Sequence, residues 1–440
     1  MKIVKKAMSL CLSVLFLCLL FTSCGHRGSD IPSNSSQILD SSTGTSQEPI
    51  SSSPLLSCEI TGRGSPSPYG EAYHPDTDDP YMLHGFSTLS LTESDTGFYF
   101  MEVHLNGLYL YYLPKDTMEP VPLCNKPNCL HEKREDDPYA TLQEIKAKRM
   151  ECNAYVDDFN GMFFYKGSLY CVGNFDALSQ DQALYRLSPD GSKKEKLYSF
   201  HFEENYDEDG KPISMTPIIS ILGNVTALRG YLYYTVQTPE NAILYRISIE
   251  GENRQPEALY TYNSNNGLIQ LQFYDNYVYI GEVDENGEEF YNRVDVETGE
   301  IIRHMNTMGT VHPILSFYEG KIFSTNTDKN NGLYLIDLDG NNLTKIPEPC
   351  SNRIGTVAGP YILGYDLSEE EVEKGQYTFT LYNGKGEIQG NFTVTSEDKL
   401  YIEGASGNIL FLSLVTNGNR EHYYLDFSTQ TLSLLFSNHD

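Results

Sequence analysis

The sequence contains no tryptophan, and its 31 Lys and Arg are outnumbered almost two to one by 60 Asp and Glu. The net charge of −29 repels phosphate backbones and anionic lipid heads, so no nucleic acid is expected as a partner. The missing tryptophan weighs against a sugar-binding module, although tyrosine can also stack on sugars. Beyond the first 21 residues no stretch is long and apolar enough to cross a membrane, which takes about 20 residues. Helical periodicity is nearly absent. So are the local catalytic signatures: there is no Gly-x-Ser-x-Gly elbow, no phosphate-cradling glycine loop and no His-Glu-x-x-His. The scattered histidines show no pairing at nucleophile spacing. An enzyme built on a contiguous motif is therefore not expected.

What the chain does have begins with a three-part export signal over residues 1–23. Lys2, Lys5 and Lys6 are its basic start, 7–21 its apolar run, and Phe21-Thr22-Ser23 its small-residue end before Cys24. That ending resembles the lipobox of bacterial lipoproteins, which implies that Cys24 becomes the first mature residue and carries the lipid. An ordinary cleaved signal with an incidental cysteine is the rival reading. Two or more acyl chains anchor stably where one does not. The expected location is the extracytoplasmic face of the cell membrane, touched through the lipid alone. Residues 24–57 are rich in Ser, with few large apolar side chains, and read as a disordered tether spanning roughly 30 Å. Residues 58–86 read as an irregular lead-in. Its Tyr69, Tyr73 and Tyr81 suggest that it packs on the strand-rich head beyond residue 86.

From residue 87 to 440 one phrase recurs, most cleanly at 314–347. An aromatic-apolar-aromatic strand is followed by a strand with Leu or Ile before Tyr, then by a glycine turn. Seven sets are countable: 87–123, 156–200, 217–262, 268–305, 314–347, 353–394 and 399–436. One such unit has two apolar faces and cannot bury them alone, whereas adjoining copies can. The expected fold is all-β, a β-propeller of about seven four-stranded blades, with the count leaving six or eight open. A sandwich would not repeat one phrase so regularly, and a solenoid has shorter coils. The lead-in could supply a closing strand to the last blade or cap one mouth.

The densest chemistry sits in an insertion at 124–155. The residues Pro122-Leu123-Cys124-Asn125-Lys126-Pro127-Asn128-Cys129-Leu130-His131, with Cys152-Asn153-Ala154-Tyr155, resemble those of lipid-anchored propellers of Gram-positive bacteria that lack an assigned function. These are akin to the TolB- and YWTD-like propellers. The resemblance implies the fold and the anchor but no chemistry. In that set the His and the last Cys lie close in sequence. Here 132–151 widen the gap, with a short helix expected at 141–150.

Three thiols and one imidazole, from Cys124, Cys129, Cys152 and His131, would complete a tetrahedral structural zinc site. Thiolate ligands disfavour calcium and magnesium. Export also permits disulfides among the same cysteines, so metal and disulfide both stay open. Of the others, Cys171 reads as a small buried apolar residue. Cys58 and Cys350 could form a long-range disulfide. Asn205-x-Asp207-x-Asp209-Gly210 resembles half a calcium loop, but Thr216 stands where the bidentate Glu would be, so an acidic turn is expected. The acidic run at 369–373 reads as a solvated hairpin tip.

The leading functional expectation is a non-enzymatic binding or scaffold module. Its ligand at a propeller mouth would be an envelope protein, a small molecule or a glycan. The alternative is a propeller hydrolase or lyase whose acidic residues converge at the central mouth from separate blades and leave no local signature.

Overall fold

Short strands with β-branched and aromatic residues, separated by glycine turns, need neighbours on both faces. The computed structural model describes residues 53–64, 91–104, 106–176, 182–200, 205–206, 212–213, 227–237, 241–252, 254–263, 268–283, 289–305, 316–326, 332–346, 353–366, 374–416 and 419–437. They form seven antiparallel sheets built on consecutive four-stranded meanders: a seven-bladed β-propeller. The first blade comprises Thr92–Glu93, Gly97–His104, Gly107–Pro114 and Val121–Pro122. The last comprises Lys399–Ser406, Ile409–Thr416, Asn419–Asp426 and Thr431–Ser437. A separate hairpin, Asn205–Tyr206 with Pro212–Ile213, lies between the second and third blades in sequence. The turn joining its strands, with the calcium-like motif, lies outside the described residues, as does 367–373.

The recurring phrase has a structural reason. The third residue of each blade's second strand is large and buried: Tyr99, Tyr170, Tyr233, Tyr279, Phe323, Leu363 and Phe411. Burying such a side chain contributes roughly 1.5–3 kcal/mol. Two of the tyrosines also reach across to the next blade. Tyr99 donates its hydroxyl hydrogen to the Pro189 carbonyl at 3.1 Å, and Tyr279 donates to Leu338 at 3.2 Å. An arginine on the third strand completes the join. Arg246 faces Tyr233 in register, and Arg293 faces Tyr279. Arg246 donates to the Val296 carbonyl at 2.9 Å and Arg293 to Leu338 at 3.0 Å. The two guanidinium groups lie over the rings of Tyr231 and Tyr277, at 4.5 and 4.1 Å from the centroids. The repeat is thus an inter-blade clasp as well as a core.

Among the described residues the first and last blades exchange no strand. Side chains join them instead. Phe98 meets Phe411 edge-on, with centroids 5.1 Å apart, and Phe100 stacks on Phe436 at 5.5 Å. Ser406 donates to the Glu93 carboxylate. The fully buried His422 stacks on Phe436 at 4.4 Å and places Nε2 3.5 Å from a Glu102 oxygen.

The extra strand differs from expectation. Leu55–Ile60 pairs with Ile388–Thr395 as a fifth strand on the outer edge of the sixth blade, so it does not close the last one. It starts inside the stretch expected as tether, and Cys58–Ile60 is regular where an irregular lead-in was expected. The reason is its period of two. Leu56, Cys58 and Ile60 turn toward the core, whereas Leu55 is 70% exposed. The strand also covers an edge that would otherwise present unpaired backbone groups. Gly62 and Gln430 tie it down: Tyr361 donates to the Gly62 carbonyl at 3.2 Å and Gln430 to Ile60 at 3.3 Å.

Candidate metal centre on the first blade

The Cys/His insertion was expected as a loop between the first two blades. It lies inside the first blade's outer strand. Val121–Pro122 pairs with Tyr112 and Tyr111, and Tyr155–Val156 continues the same edge opposite Tyr109 and Leu108. The halves meet at Leu110, whose N–H donates to Ala154 and whose carbonyl accepts from Leu123, both at 2.8 Å. Residues 124–153 are looped out between them. Proline fits here because an edge strand leaves its missing donor unneeded.

Local geometry folds the loop back on itself. Cys124 N–H donates to the Pro122 carbonyl at 2.7 Å, and Asn128 turns the chain with φ 59°. His131, with φ 50°, opens the 3₁₀ turn His131–Lys133. The helix Leu142–Arg149 follows, as the sequence predicts. Thr141 caps it: the Thr hydroxyl accepts from Glu144 N–H, and the Glu144 side chain accepts from Thr141 N–H. At its end Cys152 N–H donates to the Arg149 carbonyl at 2.9 Å, which swings Cys152 under the Cys124–Cys129 turn. Ion pairs Arg149–Asp136, Arg134–Glu151 and Lys146–Asp157 hold helix to loop and blade.

The result brings all four predicted ligands together. One donor atom from each of Cys124, Cys129, His131 and Cys152 lies within 4.8 Å of the others. His131 Nδ1 is 3.4 Å from Cys152 Sγ. A zinc tetrahedron with Zn–S of about 2.3 Å and Zn–N of about 2.0 Å has edges of roughly 3.5–3.8 Å. The widest separation therefore has to close by up to about 1 Å for the four donors to fit. None of the described cysteines forms a disulfide. Cys152 is 1% exposed, and Tyr109, Ala154 and Tyr155 pack around it.

The protonation pattern suits a cation. Burial alone would raise the Cys124 thiol, but the Lys126 and Asn153 N–H groups and the thiols of Cys129 and Cys152 outweigh it and hold it low. Burial pushes Cys152 up to about 12 and His131 down, which leaves the imidazole neutral and fit to ligate. A bound divalent ion reverses the cost at Cys152, since a coordinating thiol is deprotonated outright.

Of the remaining cysteines, Cys171 is fully buried as expected. Cys58 is unbridged, and burial raises its thiol. The suggested Cys58–Cys350 bond therefore has no support from Cys58, and Cys350 and Cys24 lie outside the described residues.

The structure adds a feature that sequence reasoning missed. A cavity of about 460 Å³ adjoins the centre, between the 129–133 segment and the outer strand of the seventh blade. Its walls include His104, Tyr111, Glu132 and Phe436. Tyr111 Oη and His104 Nε2 are 3.0 Å apart. Burial and then the Glu132 carboxylate hold the Tyr111 phenol protonated, well above its usual range. No local signal could have revealed this group, because Phe436 joins it from the other end of the chain.

No protein-family model matches the chain, and no curated protein matches its sequence. Solved structures do. A prolyl endopeptidase aligns at 10% identity and TM-score 0.51, over 80% of this chain and 50% of the peptidase, so the chain spans half that protein's length. TolB from Acinetobacter baumannii aligns at 9% identity and TM-score 0.37, over 86% of this chain and 95% of TolB. An oligogalacturonate lyase from Vibrio parahaemolyticus aligns at 14% identity and TM-score 0.40, over 61% and 74%. At these identities the likeness is one of fold.

Of the described buried carboxylates, Glu102 and Glu282 sit between blades and Glu403 sits within the seventh. Tyr260, on the third blade's outer strand, donates to Glu282 of the fourth at 2.9 Å. Asn292 and Arg303 of the fourth blade each donate to the Tyr260 hydroxyl at 3.0 Å. Glu403 accepts from Ser413 within the seventh blade. Glu282 thereby serves as a joint between blades, and Glu403 is tied inside its own.

Proposed function

We propose that the protein is an extracytoplasmic propeller, anchored through a lipid on Cys24, whose looped-out rim carries a structural zinc ion and serves to bind a partner. The observation that carries this reading is the convergence of Cys124, Cys129, His131 and Cys152 within 4.8 Å, on an insertion with almost no core of its own. Four protein ligands fill a tetrahedron and leave no position for a substrate, which argues for a structural role over a catalytic one. The leader, the Ser-rich stretch and the acidic surface supply the rest of the proposal.

Metal analysis of the purified mature chain tests the centre, with one zinc per chain expected. Labelling with a palmitate analogue tests the anchor. Cys24→Ala is expected to lose the label and to leave the membrane fraction. A disulfide between any two of the four ligands, found by mass spectrometry of the native protein, would refute the metal reading.

The alternative is a hydrolase or lyase. What favours it is the His104–Tyr111–Glu132 grouping at a cavity, together with a peptidase and a lyase among the proteins of this fold. It predicts turnover on a peptide, lactone or glycan panel that falls at least a hundredfold in Tyr111→Phe. A silent panel leaves the binding reading standing.

A further inference from the structure

The cavity beside the metal centre has a chemistry of its own. Two of its aromatic walls, Tyr111 and Phe436, lie with their rings 11° from parallel and their centroids 6.2 Å apart. Four aromatics elsewhere in the molecule lie under the chain's own cations. Arg246 lies over Tyr231, Arg293 over Tyr277, Lys166 over Tyr165 and Lys399 over Tyr401, all within 5.2 Å of the centroid. Among the described residues no Lys or Arg lies over Tyr111 or Phe436, although Phe100 stacks on both rings and His422 on Phe436, so a ligand meets what these leave open. Lys133 reaches the cavity's edge but covers neither ring.

The second observation concerns charge. Glu132 lines the cavity beside the Tyr111 phenol; the residue is half-buried, its Oε2 is shielded from water, and it forms no ion pair among the described residues. A carboxylate oxygen shielded from water without a cationic partner is costly, and a cation close by offsets that cost. Aromatic faces attract the same kind of group. The protein's large acid excess draws cations toward it from a distance.

We infer that this cavity binds a cationic nitrogen on an apolar stem: a lysine side chain of a partner protein, or a free alkylamine. The stem lies against Phe436 and Tyr111, and the nitrogen is drawn to Glu132. One wall is the run from Cys129 to Lys133, inside the ligand-bearing loop. The zinc ion therefore sets the shape of the cavity, and binding depends on the metal. The inference rests on the metal reading above for that last point alone.

The test is ligand-observed NMR and calorimetry on the mature, zinc-loaded chain, with n-pentylammonium, n-pentanol and pentanoate as probes. Pentylammonium is expected to bind at least tenfold tighter than pentanol, and pentanoate more weakly than both. Glu132→Gln is expected to erase the preference for the ammonium, and Phe436→Leu to weaken all binding about tenfold. If either variant misfolds, the wild-type ranking of the three probes still decides. Equal binding of pentylammonium and pentanol, or tighter binding of pentanoate, overturns the inference.

Capped lysine and its Nε-acetyl form separate the two sources. Capped lysine binding tenfold tighter than pentylammonium assigns a protein side chain, and the reverse assigns a free amine. Chelation is expected to lower pentylammonium affinity at least tenfold. A chain that holds no zinc yet prefers the ammonium sinks the metal reading and keeps the pocket. A zinc-bearing chain without that preference sinks the pocket alone.

Discussion

Removing the metal is expected to release residues 124–153 and leave the ring intact. Residues 124–151 include no buried side chain, and of the looped-out segment only Cys152 is fully enclosed. The helix Leu142–Arg149 has no buried residue. A helix of that length is marginal alone. The ion pairs around it are surface pairs worth at most about 1 kcal/mol each. Ordering the backbone costs roughly 1–2 kcal/mol per residue before hydrogen bonds repay it, so these contacts by themselves leave the loop poorly held. Structural zinc contributes on the order of 10–16 kcal/mol in finger peptides. Even zinc at a hundred times its Kd adds about 2.7 kcal/mol, or a factor of about 100 in the opening equilibrium.

Hydrogen exchange read by mass spectrometry checks this directly. With chelator, amides of 124–153 are expected to exchange at least about a hundredfold faster, while those of the seventh-blade strand Ile409–Thr416 hold their rate. Cys152→Ser should reproduce the effect, and chelator added to that variant should do nothing more. Unchanged protection of the loop after complete zinc removal would falsify the reasoning. So would equal loosening of the ring, which would mean that the metal supports the whole fold.

Three further outcomes rest on the geometry. A Cβ on Gly359 would stand 1.8 Å from the Gly407 carbonyl, so Gly359→Ala should destabilise by about 3 kcal/mol or more in urea unfolding, whereas Gly407→Ala meets open space and should cost only its left-handed φ, about 1–2 kcal/mol; similar costs for the two would refute the contact. Phe411→Ala should cost about 3–5 kcal/mol, and a double-mutant cycle with Phe98→Ala should return about 0.5–1.5 kcal/mol of coupling across the closure; zero coupling would mean that the ring is joined some other way. Burial pushes the Lys194 ammonium down to about 8, so from about pH 8 to about 10.5 the unfolded chain binds more protons and this residue makes stability rise with pH; in Lys194→Met that rise should vanish, and an unchanged slope between the two proteins would refute the assignment.

The repeat was legible because each blade is a local object. Tyr231-Leu232-Tyr233 and Tyr277-Val278-Tyr279 carry the period of two and the turn chemistry within a few dozen residues, and adjoining copies bury one another. The four candidate ligands were legible for a similar reason: three thiols and an imidazole are crowded into one insertion. The short helix expected at 141–150 is there as well, over Leu142–Arg149.

What sequence alone left undecided depends on partners far along the chain. Whether Cys152 meets the other three donors depends on where it returns, and that is fixed by Tyr155–Val156 pairing with the strand Gly107–Pro114. The place of Leu55–Ile60 on the sixth blade depends on residues more than three hundred positions away. The cavity exists because Phe436 comes round to stand beside Tyr111 when the ring closes. Periodicity records which face of a strand is buried. It carries no record of which strand covers that face, because apolar burial is non-directional and many partners satisfy it equally; only the closed ring makes the selection.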